Sequence, residues 1–363
     1  MKILEICPFS SGICGVWSRV KQEAKELIKK GNQVYVFSSN IEKGTNKIVP
    51  PKENLDRIDI TRFSSKGSLS ENVKKFEFQK TLAKLNPDRV ITHLLHPHSF
   101  KALETCRKLK IPCYLVTHAP FAVKRSFSLN LATNFYYKFK VKPNINKFTK
   151  IISITKWELP YLQKLGIDQE KVEYIPNGIP SDFFKEKIKK FNSEKIMFLG
   201  RIAPVKNLET LIVAFKKLNN PKLKLEIIGP IEKGYERIKY LGSQNIIFSK
   251  PIYNMNEKIQ RLQEADIFVL PSKREAMPQS LIEAMALGKI VIASDTFGAK
   301  DLISPGKNGF LFKIGDSEGL KQQIHKALTM ADSEKKLIQE RSKEFAKNFK
   351  LENTTEKTLD LIR

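Results

Sequence analysis

Long apolar runs are missing from this chain. Nowhere in its 363 residues does an apolar stretch approach the about 18 residues of a membrane-spanning helix. Met1 leads straight into the strand-like KILEIC, without the charged start and apolar stretch of a secretory signal. A cytoplasmic protein is expected. Cysteine is scarce too: Cys7, Cys14, Cys106 and Cys113 all lie in the first third, with no C-x-x-C pair and no framework spacing. That pattern argues for buried, reduced thiols rather than a disulfide scaffold.

Negative charge is also in short supply, with 38 Asp plus Glu against 64 Lys plus Arg and a net charge of +26. The imbalance is uneven. Residues 1–150 carry 28 basic against 11 acidic side chains, and residues 101–150 carry 11 against 1. Lysine-rich composition accounts for part of this, and an anionic surface as partner of the first half accounts for its concentration. Nucleic acid is a poor fit, because no helix-turn-helix, zinc-finger or RNP-like pattern accompanies the lysines.

What remains is ample for two domains with proper cores: 41% of the residues are hydrophobic. In the first half, KILEIC, QVYVFSS, DRVITHLL, PCYLVTHA, KIISIT and KVEYIP alternate with helix-like stretches, such as one from about Gly15 to Lys30. Strands separated by helices predict a mostly parallel, doubly wound α/β sheet, whose ligands sit at the carboxyl ends of its strands. The residues just after those strands are therefore the candidates. PFSSGICGVWSRV is a small-residue loop opening a helix, where the backbone at Gly15 can approach a phosphate. THLLHPHSF presents His93, His96 and His98, but His93 lies within a strand, Pro97 begins a turn and no acid is nearby in sequence, so a metal site is not expected. His118 ends a further strand.

Between Phe121 and Val141, aromatic and aliphatic residues interleave with Lys124, Arg125, Lys138, Lys140 and Lys142. The mixture suits an interfacial helix among anionic headgroups, or a core helix with a basic rim. The turn residues and charged run from Pro176 to Lys195 place a domain junction near residue 190. The alternation then repeats with KIMFLG, KLEIIG, NIIFS, DIFVLP, IVIAS and GFLFKI; helices are expected around Tyr235–Leu241, at Glu257–Ala265 and from Ser333 to Phe349.

Within this half, SKREAMPQSLIEAMALGKIVIASD reads as loop, helix, strand. The helix should begin near Met277, with Pro278 as a well-tolerated first residue and Gly288 as its stop. Its open end offers the free amides of Gln279 and Ser280, together with a partial positive charge, to an anion. Glu275 lies just before that end, and Glu283 follows Pro278 by five residues, roughly 7 Å along the axis. Carboxylates bracketing a phosphate site fit a ligand with phosphates in its middle and polyols on both sides, as in a nucleotide sugar. Upstream, Arg201 and Lys206 share one strand-to-helix loop. A planar fork and a point charge there suit a diphosphate.

In that order, GRIAPVKN, IPNGIPSDFF and ADIFVLPSKREAMPQSLIEAMALGKIVIASD resemble the retaining glycosyltransferases of family 4. The resemblance is dense from Ile151 to Asp316 and thinner before. It implies the GT-B fold: two Rossmann-like doubly wound domains facing across a cleft, here 1–190 for the acceptor and 191–349 for the donor, with 350–363 a terminal helix crossing back to the first. It implies transfer of a hexose-type sugar from a nucleotide diphosphate donor to an acceptor, lipid-linked or a glycan at a membrane surface, with the enzyme peripheral on the inner face. Arg201, Lys206, Gly15, Gln279 and Ser280 would hold the diphosphate; Glu275, Ala276, Met277 and Pro278 the donor sugar; Glu283 the ribose. His118 and Glu275 would be catalytic, and Trp17, His96 and His98 would line the acceptor site. The donor is a substrate, so no cofactor is expected. No D-x-D occurs, so no metal is expected either. Two alternatives stay open: a GT-B epimerase or phosphorylase, and a non-catalytic basic binding module on the same scaffold.

Overall fold

The structure, a computed structural model, describes residues 1–12, 14–43, 47–65, 75–122, 127–192 and 195–363. The chain forms two compact units, Met1–Gly178 with Leu351–Arg363, and Ile179–Lys350. The division precedes the charged run rather than following it. Ile179 and Phe183 are fully buried in the core of the second unit, and Ile179 bridges to Lys350.

The first unit is built on an eight-stranded sheet: β1 (Lys2–Phe9), β2 (Gln33–Ser39), β3 (Lys52–Leu55), β4 (Ile58–Phe63), β5 (Arg89–His93), β6 (Cys113–Val116), β7 (Ile151–Ser153) and β8 (Val172–Tyr174). Its order is β3-β4-β2-β1-β5-β6-β7-β8. Only the β3–β4 pairing is antiparallel among its neighbours. The strand order reverses between β1 and β5, which makes the carboxyl ends of those two strands the natural ligand edge. The Gly15–Lys29 helix follows β1, and its side chains Val20, Ala24 and Leu27 are fully buried. Pro97 does not begin a turn. It is the first residue of the Pro97–Leu109 helix, where its missing N–H costs nothing, and His96 is the N-cap. The closing Leu351–Ile362 helix belongs to this unit: Glu356 pairs with Lys30, and Arg89 donates to the carbonyl of Arg363 at 2.9 Å.

The second unit holds β9 (Lys195–Leu199), β10 (Lys224–Ile228), β11 (Ile246–Ser249), β12 (Ile267–Leu270), β13 (Ile290–Ser294) and β14 (Phe310–Phe312), all parallel. The order β11-β10-β9-β12-β13-β14 is the 3-2-1-4-5-6 arrangement of a dinucleotide-binding sheet. Its switch point falls between β9 and β12, both buried at their centres because helices cover the two faces. The 236–241 segment is 3-10 rather than α-helical, and the Ser317–Thr329 helix was not anticipated.

The basic aromatic segment of the first unit forms the Phe127–Tyr136 helix and a π-turn, Tyr137–Val141. Val141 is buried in the core, whereas Leu131, Phe135 and Phe139 are 65%, 65% and 56% exposed. Lys124 and Arg125 lie outside the described residues, as do the side chains of Phe127 and Leu129. Among the described residues, no helix is long and apolar enough to cross a membrane.

Candidate active site

At the switch point of the second unit, the loops after β9 and β12 are tied together. Lys273 donates its backbone N–H to the carbonyl of Val205 at 2.8 Å, and the Asn207 side chain donates to the carbonyl of Pro271 at 3.4 Å. Asn207 itself adopts a left-handed φ of 53°, which turns the chain from the loop into the Leu208–Lys217 helix. Across these loops the Lys206 ammonium pairs with Glu275 Oε1 at 2.5 Å, both groups being largely withdrawn from solvent. Ser272 donates to the same oxygen at 2.6 Å. A charged pair at this burial needs such extra hydrogen bonds to offset its desolvation.

The helix itself begins one residue later than its composition suggests. Pro278 has extended ψ and serves as N-cap, and the helix spans Gln279–Ala286. The carbonyl of Pro278 already accepts from Leu281 and Ile282, while the amides of Gln279 and Ser280, as first helical residues, have no intrahelical acceptor. Pro278, as N-cap, has no side chain able to cap this end. Gly288 terminates the helix with φ at +67°, as its position implies. Glu283 is buried, and its Oε1 receives the ammonium of Lys258, from the Met255–Gln263 helix, at 2.5 Å. Its Oε2 has no hydrogen-bond partner among the described residues. A buried carboxylate with one oxygen unused has capacity for a ligand hydroxyl.

Arg201 is turned the other way. It is 44% exposed and pairs with Glu232 on the loop after β10, so the structure brings Lys206, Glu275 and the helix tip together but leaves Arg201 on the opposite flank of β9.

In the first unit, the middle of β1, the last residue of β5 and the segment just past β6 carry a chain of side chains. Glu5 Oε2 lies 2.6 Å from His93 Nε2, and His93 Nδ1 lies 2.8 Å from His118 Nε2. Glu5 and His93 are fully buried. His118 is half-buried and sits at a left-handed φ of 56°, followed by Ala119 at 48°. Two successive non-glycine residues in that region store strain, a feature that concentrates at functional sites. Gly15 opens its helix exposed, and a Cβ there would meet nothing within 4 Å. The fold does not itself require glycine at that position.

Two acceptor candidates are corrected by burial. Trp17 is 7% exposed and belongs to the core. His98 is 2% exposed; its Nε2 meets the carbonyl of His93 at 2.8 Å and its ring stacks on Phe76, so it braces the β5 end instead of facing a ligand. His96 is half-buried, edge-on to His98. Cys14 is likewise half-exposed, at the N-cap of the Gly15–Lys29 helix, rather than buried like the other three thiols.

Comparison with known proteins covers nearly the whole chain. The profile of the glycosyl transferases group 1 matches residues 180–344, and that of glycosyltransferase family 4 matches residues 13–183. The chain belongs to the family 4 glycosyltransferases. An uncharacterized glycosyltransferase of Methanocaldococcus jannaschii is 28% identical over 81% of this chain and 72% of its own. A GDP-mannose-dependent alpha-mannosyltransferase of Mycolicibacterium smegmatis is 23% identical over 85% and 84%. The solved sucrose-phosphate synthase of Thermosynechococcus elongatus superposes with a TM-score of 0.78 at 18% identity, over 99% and 98% of the two chains, which establishes the GT-B fold.

Several residues of this glycosyltransferase's candidate site were not singled out from sequence. Lys258 is an ordinary surface type whose partner, 25 positions away, comes from tertiary structure, and Ser272 meets Glu275 only through the local turn of its loop. Gly298, in the Phe297–Leu302 helix, donates its N–H to the carbonyl of Glu275 at 3.2 Å, and a Cβ there would fall 2.3 Å from the carbonyl oxygen of Ala276. Glu5 did carry a signal: it is a lone carboxylate in the middle of the apolar KILEIC.

Proposed function

We propose that this glycosyltransferase moves a hexose-type sugar from a nucleotide diphosphate donor with retention at the anomeric carbon, without a metal. The observation that carries the reading is the Lys206–Glu275 pair beside an uncapped helix tip at the switch point. Without a donor, Lys206 neutralises a carboxylate that would otherwise repel phosphate. When the diphosphate arrives, the ammonium turns to the phosphate oxygens, the amides of Gln279 and Ser280 meet the same group, and Glu275 is released to accept from sugar hydroxyls. Fixed donors of this kind act most strongly on the charge that develops on the leaving diphosphate.

Arg201, half-exposed, swings from Glu232 to join Lys206. Glu283 takes the ribose hydroxyls on its unused oxygen, Ala276, Met277 and Pro278 wall the sugar, and Gly15 and His118 keep the diphosphate and catalytic roles that the family resemblance implies. The smegmatis relative is named for a GDP-mannose donor, which supports the donor class and leaves the base open. The stripe of Leu131, Phe135 and Phe139, four residues apart on one side of a helical segment that carries Lys138, Lys140 and Lys142, supports docking of the first unit on an anionic lipid surface that presents the acceptor.

The test is a product assay. Purified protein with a panel of nucleotide sugars and of lipid-linked and glycan acceptors should yield a new glycoside with the donor's anomeric configuration, at a rate unchanged by EDTA. Inversion, release of a free sugar isomer or sugar phosphate, or a rate lost to EDTA and restored by manganese would contradict the reading.

A further inference from the structure

The Glu5–His93–His118 chain is a feature that the donor site does not explain. Its members come from β1, β5 and the segment just past β6, three adjacent strands, and the first two are 0% exposed. The backbone around His93 is held with unusual care. Its carbonyl accepts from His98 Nε2 at 2.8 Å and from Ser99 Oγ at 3.2 Å, and the next residue, Leu94, with a left-handed φ of 73°, donates its N–H to Val116 at 2.8 Å. His93 therefore has one ring orientation, with Nε2 on Glu5 and Nδ1 on His118.

Proton positions in this chain follow from burial. Glu5 Oε1 has no partner among the described residues, and Oε2 has only His93. An ionised carboxylate in that position would be short of donors at large cost, whereas a carboxylic acid needs only one acceptor for its proton. Burial pushes the Glu5 carboxyl well up; the Glu23 carboxylate adds to the rise and the Arg19 guanidinium opposes it. Arg19 and Glu23, both from the Gly15–Lys29 helix, hold each other at 3.1 Å, so they largely cancel. Burial likewise drives His93 down to about 3, with Arg19 adding and Glu23 opposing, and pushes His118 well below its ordinary value, helped by His93, Arg19 and His96. All three groups are then neutral, with one proton each.

We propose that Glu5 and His93 are positioning residues that fix His118 as its Nδ1–H tautomer. Glu5 donates to His93 Nε2, His93 Nδ1–H donates to His118 Nε2, and the remaining proton sits on His118 Nδ1, a nitrogen with no protein partner among the described residues. His118 thus offers a hydrogen-bond donor to a substrate oxygen and has no lone pair available to deprotonate an acceptor hydroxyl. That consequence rests on the assignment of His118 to the sugar; the tautomer itself does not.

The experiment combines two readouts on the full chain. Long-range 15N–1H spectra of histidine-labelled protein near neutral pH should show His93 and His118 protonated on Nδ1. Glu5→Gln should keep that tautomer, because an amide N–H replaces the acid O–H. Glu5→Ala and His93→Phe should release it and lower kcat by about tenfold or more, with donor KM little changed, while Glu5→Gln recovers most of that loss. Melting curves confirm that each variant is folded. A proton on Nε2 of His118, or Glu5→Gln as slow as Glu5→Ala in a folded protein, would overturn the proposal. If His93→Phe releases the tautomer and leaves turnover intact, the positioning chain stands and the placement of His118 at the sugar falls.

Discussion

In the proposed donor site Glu275 is a carboxylate beside the phosphate position, and its partners make that tolerable. Lys206 neutralises it and Ser272 orients it, so loss of the carboxylate unbalances the ammonium and, on the proposed reading, removes a sugar contact. Glu275→Ala and Arg201→Ala should each cut kcat/KM by about a hundredfold or more, with melting temperatures close to wild type. Near-normal rates in both would remove these residues from the site. A second residue reports on stability. Lys289 is 2% exposed, donates to the carbonyl of Gln263 at 2.9 Å, and is pushed down to about 8 by burial, with Asp266 opposing and Lys189 adding. Its folded value lies below the unfolded one, so the unfolded chain binds the proton more tightly between them. Lys289 should therefore raise stability as pH rises from about 8 towards 10, by up to about 1.4 kcal/mol per unit, an increment that Lys289→Met removes. Denaturant titration across that range measures it. At this scale the sequence was half legible: acids and cations that the fold brings together, Glu275 and Lys206, could be named, but not partners such as that of Glu283. Lys258 lies 25 positions from Glu283, and no local pattern records such a pairing.

At the scale of elements, the donor loop is shaped by what packs behind it. Gly298 leaves no room for a side chain against the Glu275–Ala276 backbone, and Thr296 caps its helix by accepting from the amide of Ala299. Gly298→Ala should displace that loop and lower turnover by about tenfold, with a stability loss within the about 1–3 kcal/mol typical of overpacking. Unchanged turnover with the same melting shift would mean that the loop tolerates displacement. Strands and most helices were legible here because β12 and β13 are continuous apolar runs flanked by periodic helices. The β3–β4 hairpin was not: its turn places Asp56 and Arg57 at positive φ, 53° and 69°, where glycine or asparagine would have announced it. The N-terminus of the Gln279–Ala286 helix was misplaced by one residue because proline suits both N1 and an extended N-cap. The Pro97 turn failed for the same reason, since proline opens helices as readily as it forms turns.

For the whole molecule, the segment of greatest basic excess coincides with an exposed apolar stripe. Within the segment of greatest excess, the apolar stripe of Leu131, Phe135 and Phe139 stays exposed while Val141 anchors the segment in the core. Binding to vesicles containing anionic lipid should be measurable by co-sedimentation, fall steeply with salt, and drop about tenfold in the double variant Phe135→Ser and Phe139→Ser, with turnover on a water-soluble acceptor retained. Equal binding to neutral vesicles, or no effect of the variant, would leave the charge a matter of composition. The two-unit architecture was readable because the alternation of strand and helix repeats, whereas the division at Gly178 was hidden: the charged run that suggested a linker follows Phe183, already in the second core. The most direct measurement is a melting-temperature panel with UDP, GDP, ADP and their sugars, on wild type and on Lys206→Met. One nucleotide series should raise the wild-type midpoint by mass action and leave the variant nearly unmoved. A wild type that responds to none of them, or a Lys206→Met protein that responds equally, would contradict the grip on a diphosphate.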